Sequence, residues 1–197
     1  RQKMGMHIGF IAARTTVSEL REAFSQAWPE FEVVACQDNL ADAEAMWAWK
    51  ESHEQFVSAA DWSKDNPGSE AYVFWEDGPW AIMMDSSYVL ASDEDALKSM
   101  SAKFGTILSF VVETAGGCAF FTCAENGELR RRINYTDGEG ATDGDPMAEE
   151  AGIDIDNYYM DETEAMCGAF GLSVFGLTPI YDNCQAVSVV DHTDYSH

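Results

Sequence analysis

Fourteen aspartates and glutamates lie between Ile133 and His197, and no lysine or arginine interrupts them. The preceding 132 residues carry 21 acids and 11 bases, so the last third supplies −14 of the net charge of −24. Carboxylates in such numbers can ligate a divalent cation, work as an acid–base pair, or present a negative surface. A calcium loop needs oxygen ligands at fixed offsets, a glycine at its sixth position and a glutamate at its twelfth. Counted from Asp137, the third position is Glu139, but the fifth is Ala141, the sixth Thr142 and the twelfth Ala148. The pattern fails where the chemistry is strictest, so no dedicated metal site is expected. Gly138, Gly140 and Gly144 imitate a phosphate loop, yet acids stand between them and no lysine follows. Phosphate needs amides and positive charge, and that reading is rejected. A pair of carboxylates for glycoside hydrolysis can be drawn almost anywhere in so acidic a chain, and carries no specificity.

Nucleophiles fare no better. Ser173 sits in Gly171-Leu172-Ser173-Val174-Phe175, which lacks the second glycine of a nucleophile elbow. The histidines are His7, His53, His192 and His197. His53 shares a helical stripe with Met46, Trp49 and Phe56, which reads as the edge of a core. Five cysteines form no C-x-x-C pair. Cys118 and Cys123 lie five apart on an apolar strand, hence on opposite faces, which excludes joint ligation. Reduced thiols in the cytoplasm are the expectation. Arg130, Arg131 and Arg132 alternate across a strand. Arg131 falls on the apolar face with Leu129, Ile133 and Tyr135, and is expected to find a bidentate acid, Glu149 or Glu150. Trp47, Trp49 and Trp62 flank Glu51, Glu54, Asp61 and Asp65. Trp47 and Trp49 cannot share one helix face. Either one is exposed as an interface anchor or the helix packs on two sides.

Local punctuation places these residues. Thr16 and Glu19 make a capping box ahead of a helix with Val17, Leu20 and Phe24 at helical spacing. Asp42–Val57 reads as a second helix, and a third is capped by Ser92. Strands are expected at Met6–Ala13, Phe31–Cys36, Tyr72–Trp75 and Trp80–Met84. Thr106–Glu113, Cys118–Ala124 and Leu129–Tyr135 alternate with Gly116-Gly117 and Asn126-Gly127 turns, which makes a three-stranded antiparallel meander. Asp137–Asp145 reads as a loop, Pro146–Gly152 and Asp161–Phe170 as helices, Leu172–Leu177 and Ala186–Val190 as late strands. The expected fold is α+β: an antiparallel sheet with a central meander and several helices packed on it, in a single domain over 1–197.

An apolar fraction of 46% with aromatics throughout supports a folded body. Residues 1–3 read as a remnant ahead of a natural start at Met4. No apolar run approaches a membrane span. The charge repels nucleic acid, nucleotides and anionic membrane, and attracts a basic macromolecule. No cofactor is expected.

One stretch is familiar. It comprises Met100-Ser101-Ala102-Lys103-Phe104-Gly105, a strand with Phe120-Phe121, the run Asn126–Tyr135 and the run Gly144–Gly152. This resembles small cytoplasmic immunity proteins of bacterial polymorphic-toxin and type VI secretion systems. The resemblance implies a non-enzyme, an antitoxin that binds a basic cognate toxin and occludes its active site. Its contacts are then expected from two acidic groups. One is Asp137, Glu139, Asp143 and Asp145 with Glu149 and Glu150, on a loop able to enter a cleft. The other is Glu51, Glu54, Asp61 and Asp65 beside Trp47, Trp49 and Trp62. The rival readings are a metal-dependent hydrolase built on clustered Asp and Glu, and a protein acidic only through adaptation to salt.

Overall fold

The computed structural model describes residues 7–58, 60–63 and 65–192. The chain runs β1 (His7–Ala13), α1 (Val17–Ala27), β2 (Phe31–Gln37), α2 (Ala43–His53), β3 (Glu70–Asp77), β4 (Trp80–Met84), α3 (Glu94–Phe104), β5 (Thr106–Glu113), β6 (Cys118–Glu125), β7 (Glu128–Thr136), β8 (Glu139–Asp143), α4 (Met160–Ala169) and β9 (Asp182–Asp191). Single 3-10 turns cover Leu90–Ser92, Ala148–Glu150 and Ile155–Asn157. The fold is α+β. All nine strands join one antiparallel sheet in the order β2-β9-β3-β4-β1-β5-β6-β7-β8. The meander is present as β5-β6-β7, and β8 carries it to the sheet edge.

The sheet is buried on both faces. Phe10 and Ile11 are adjacent on β1, point to opposite faces, and are both fully buried. One core lies under α1 and α3 and holds Ile11, Leu20, Phe24, Phe74, Leu97 and Met100. The other lies under α2 and α4 and holds Phe10, Met46, Trp75, Phe121, Tyr158 and Met166. Two-sided burial explains why the inner strands read as continuous apolar runs.

Local signals set most of the boundaries. The Thr16 side chain accepts from the Glu19 amide while Glu19 reaches back to the Thr16 amide, so the expected capping box forms. Asp93, one residue later than expected, caps α3 by accepting from the Ala96 amide (3.0 Å), because Ser92 is taken up in the preceding 3-10 turn. The second helix ends at His53, short of the expected Val57. Phe56 therefore leaves the stripe it was assigned to and is 93% exposed.

Three elements differ in kind from the reading, the first being the helix expected over Pro146–Gly152, of which only the 3-10 turn Ala148–Glu150 forms. Leu172–Leu177 forms no strand. Ser173 holds a closed turn instead, with its carbonyl accepting from the Gly176 amide and its hydroxyl from the Ile180 amide, both at 2.8 Å. Leu172, Val174 and Phe175 pack into the core under α2 and α4 from this turn, without pairing to the sheet. The expected acidic loop is a hairpin. Asp137 (φ 53°) and Gly138 (φ 85°) form its two-residue turn, and β8 returns along β7. Two successive positive φ values are the type I′ signature, met by Asp-Gly as by Asn126-Gly127.

Candidate functional site

Strand register separates the two ends of the sheet. Phe31 faces Asp191, Glu70 faces Val189, His7 faces Glu113, Glu113 faces Cys118, Cys118 faces Thr136, and Thr136 faces Glu139. These residues therefore line one end. The Asp137-Gly138 turn and the 54–69 connection project from that same end. The last turn of α2 reaches it too, since the His53 carbonyl accepts from Ser69 Oγ and Ser188 Oγ, each at 3.0 Å. Sequence could not show that the two acidic groups share an end. They are not contiguous along it. β3 is third and β8 ninth in the order, and six spacings of ~4.8 Å put them about 29 Å apart.

The first group divides. Asp137 and Glu139 are exposed at this end. Asp143 and Asp145 are exposed too, but lie at the far end of β8 among arginines. Arg132 binds Glu94 and stands 3.7 Å from Asp143. Arg130 donates to the Asp145 carbonyl (3.2 Å) and lies 4.0 Å from Glu125. Glu149 is half-buried. Glu150 is not available to a partner, which corrects its assignment. Its carboxylate is buried and takes both arms of Arg131, Nε–H to Oε1 and Nη2–H to Oε2, each at 2.8 Å. The same Oε1 accepts the Met147 amide (2.8 Å), and Arg131 also donates to the Gly144 carbonyl (2.7 Å). Of the two candidates for Arg131, packing selected Glu150. Gly144 is held where only glycine fits: its φ is +81°, and a Cβ would stand 2.3 Å from the Arg130 carbonyl oxygen.

The hairpin also corrects the expected loop over Asp137–Asp145. Asp137 sits in the hairpin's turn and Glu139 at the start of the paired strand β8. Two acids the sequence did not single out join them. Asp154 and Asp156 are exposed in the segment that packs beside β8, where a Cβ on Gly140 would lie 3.4 Å from the Asp156 carbonyl oxygen. Their spacing in the chain carries no signal of this. Only the docking of 155–157 on β8 brings them together.

The second group also divides. Trp47 and Trp49 are both half-buried and packed against the core under α2 and α4. Trp49 stacks on His53 at 3.8 Å between centroids, and His53 Nδ1–H donates to the Trp49 carbonyl (2.8 Å). Lys50 is buried and ion-paired with Glu54. Glu51, Asp61 and Asp65 are exposed, and Asp61 accepts from Ser58 Oγ (2.6 Å). Trp62 is 46% exposed. Phe56, which the sequence had placed in a core stripe, is more exposed still.

Between the groups, His7 bridges the Glu113 carboxylate and the Ser86 carbonyl, and Tyr88 donates its hydroxyl to Glu113 (3.1 Å). The Ala115 amide, then His7, holds the Glu113 carboxyl below its usual range. This cluster clamps the 85–88 segment across β1. Two of the buried thiols are inert by environment: burial pushes Cys123 up to about 12 and raises Cys167 well above its ordinary value. Among the described residues, no group of three or more His, Cys, Asp or Glu is placed to hold a metal ion. No helix among them is long and apolar enough to cross a membrane. The chain matches no protein-family model, and neither a curated protein nor a solved structure is significantly similar to it.

Proposed function

We propose that this chain is a cytoplasmic binding protein that neutralises a basic toxin or effector, in the manner of the immunity proteins of bacterial polymorphic-toxin and type VI secretion systems, and that it is not an enzyme. One observation carries the reading. Asp137, Glu139, Glu51, Asp61 and Asp65 project from one end of a rigid sheet, while all three arginines of β7 are held by internal partners. Among the described residues, no lysine or arginine is ion-paired with any of these five carboxylates. Carboxylates held there stand where the phosphates of a nucleotide or nucleic-acid substrate would sit in a basic cleft. A net charge of −24 steers a basic partner to it, with association rates toward ~10⁸–10⁹ M⁻¹s⁻¹ at low salt. Fast capture is what protection from a toxin demands.

The test pairs this chain with the protein encoded beside it, measuring association by stopped flow at 20 and 300 mM salt. Association should slow steeply as salt rises. The double substitution Asp137→Lys, Glu139→Lys should cut the low-salt rate about 10-fold or more without lowering thermal stability, since both side chains are exposed. A complex that is salt-independent and indifferent to these substitutions, or no complex at all, ends the proposal.

A further inference from the structure

The connection between α2 and β3 leaves and re-enters the fold through a built neck. Gln55 and Ser69 exchange both backbone hydrogen bonds, at 3.0 and 3.1 Å. Gly68 has φ +80°, and a Cβ there would stand 2.7 Å from the Gln55 carbonyl oxygen, so glycine alone closes the neck. On this pedestal Phe56 is 93% exposed. Of the two large aromatic side chains exposed among the described residues, Phe56 and Trp62, Phe56 is the more open to water. A cleft opens beside it. Phe56, Val57 and Pro67 form its apolar side, and Glu54, Glu70 and Asp191 its acidic side. The acids come from three separate parts of the chain. Glu54 is shared with Lys50, and Glu70 accepts from the Tyr72 hydroxyl (2.6 Å). Among the described residues that line the cleft there is no lysine or arginine.

An aromatic face, an apolar wall and carboxylates opposite suit one chemical group best: a planar guanidinium on an aliphatic stem. A guanidinium stacks on aromatic rings, is weakly hydrated and meets carboxylates in a fork, whereas an ammonium is compact and strongly hydrated. We infer that this cleft is the subsite for an arginine side chain of the basic partner, with the guanidinium stacked on Phe56. The inference rests on the acidic-binding reading above and gives that reading an anchor. Negative charge alone would not choose arginine over lysine; the ring on its rigid neck does.

The full chain, 15N-labelled, is titrated at 20 mM salt with Nα-acetyl-arginine methylamide, its lysine counterpart and its neutral citrulline counterpart. The arginine compound should shift the amides of Gln55, Phe56, Gly68 and Ser69 along a saturable curve. It should act at about three-fold lower concentration than the lysine compound, and citrulline should have no effect. Phe56→Ser should weaken the arginine response about three-fold and Phe56→Tyr should keep it, with spectra elsewhere unchanged in both. Equal responses to arginine and lysine, an unaltered response in Phe56→Ser, or shifts confined to Asp137 and Glu139 overturn the subsite and leave the acidic reading standing. A tetra-arginine peptide that perturbs nothing at all overturns both.

Discussion

Arg131 is the residue whose removal should hurt the fold most for the smallest change in shape. It is 3% exposed and sits on the apolar face of β7, bidentate to Glu150, which is 8% exposed. Arg131→Leu leaves the Glu150 carboxylate in a low-dielectric site with only the Met147 amide for company. It also strips a donor from the Gly144 carbonyl. Breaking a buried pair from one side costs about 3–5 kcal/mol, because the surviving charge has lost its compensation. In a chain of 197 residues each kcal/mol moves the melting temperature by about 2–4 °C, so Tm should fall by about 6–20 °C. Replacing both partners, Arg131→Leu with Glu150→Met, removes the stranded charge and should recover more than half of the loss. The double variant will not return fully, since the Met147 amide and the Gly144 carbonyl still lose their partners. Urea and thermal unfolding of the two single variants, the double variant and the parent complete the cycle. A Tm for Arg131→Leu within about 2 °C of the parent, or a double variant no better than the sum of the singles, would refute the reasoning.

Two further outcomes follow from local electrostatics and burial. The Thr15 hydroxyl, then the Thr16 amide and hydroxyl, hold the Glu19 carboxyl below its ordinary value of 4.5. A depressed folded pKa gives stability that is present above pH 4.5 and lost as pH falls through the lower folded value. Urea midpoints between pH 7 and pH 3 should therefore drop less steeply for Glu19→Gln than for the parent, and parallel curves would count against the box. In the native protein, Ellman's reagent at pH 8 should modify Cys36 quickly and Cys118 slowly, because these are the exposed and half-buried thiols. Cys123, Cys167 and Cys184 should react only in denaturant; a rapid native count above two contradicts their burial.

Much of the scaffold was legible. The Thr16/Glu19 box, the Asn126-Gly127 turn and the three strands around it are dictated within a few residues, and they form as read. The internal pairing of Arg131 was legible as well, because an arginine on an apolar strand face has to find an acid. Failures came where a local rule met an element without apolar alternation. Asp137-Gly138 is as good a type I′ turn as Asn126-Gly127, yet β8 follows it as Glu-Gly-Ala-Thr-Asp, exposed throughout, and no periodicity marks it as a strand. Leu172–Leu177 failed in the opposite sense, since an apolar run records burial and says nothing of which shape is buried.

By itself the amino-acid order settled how much charge this protein carries, that its last third holds no lysine or arginine to offset its acids, and which short segments must be helix or hairpin. These depend on residue type and near-neighbour geometry alone. The folded sheet decided which carboxylates reach water together. Register sent Asp137 and Glu139 to the end that also bears Glu51, Asp61 and Asp65, sank Glu150 onto Arg131, and lifted Phe56 out of its stripe. The physical reason is that a strand's face and end are fixed by what it pairs with, and those partners can lie more than a hundred residues away in the chain, as Phe31 and Asp191 do.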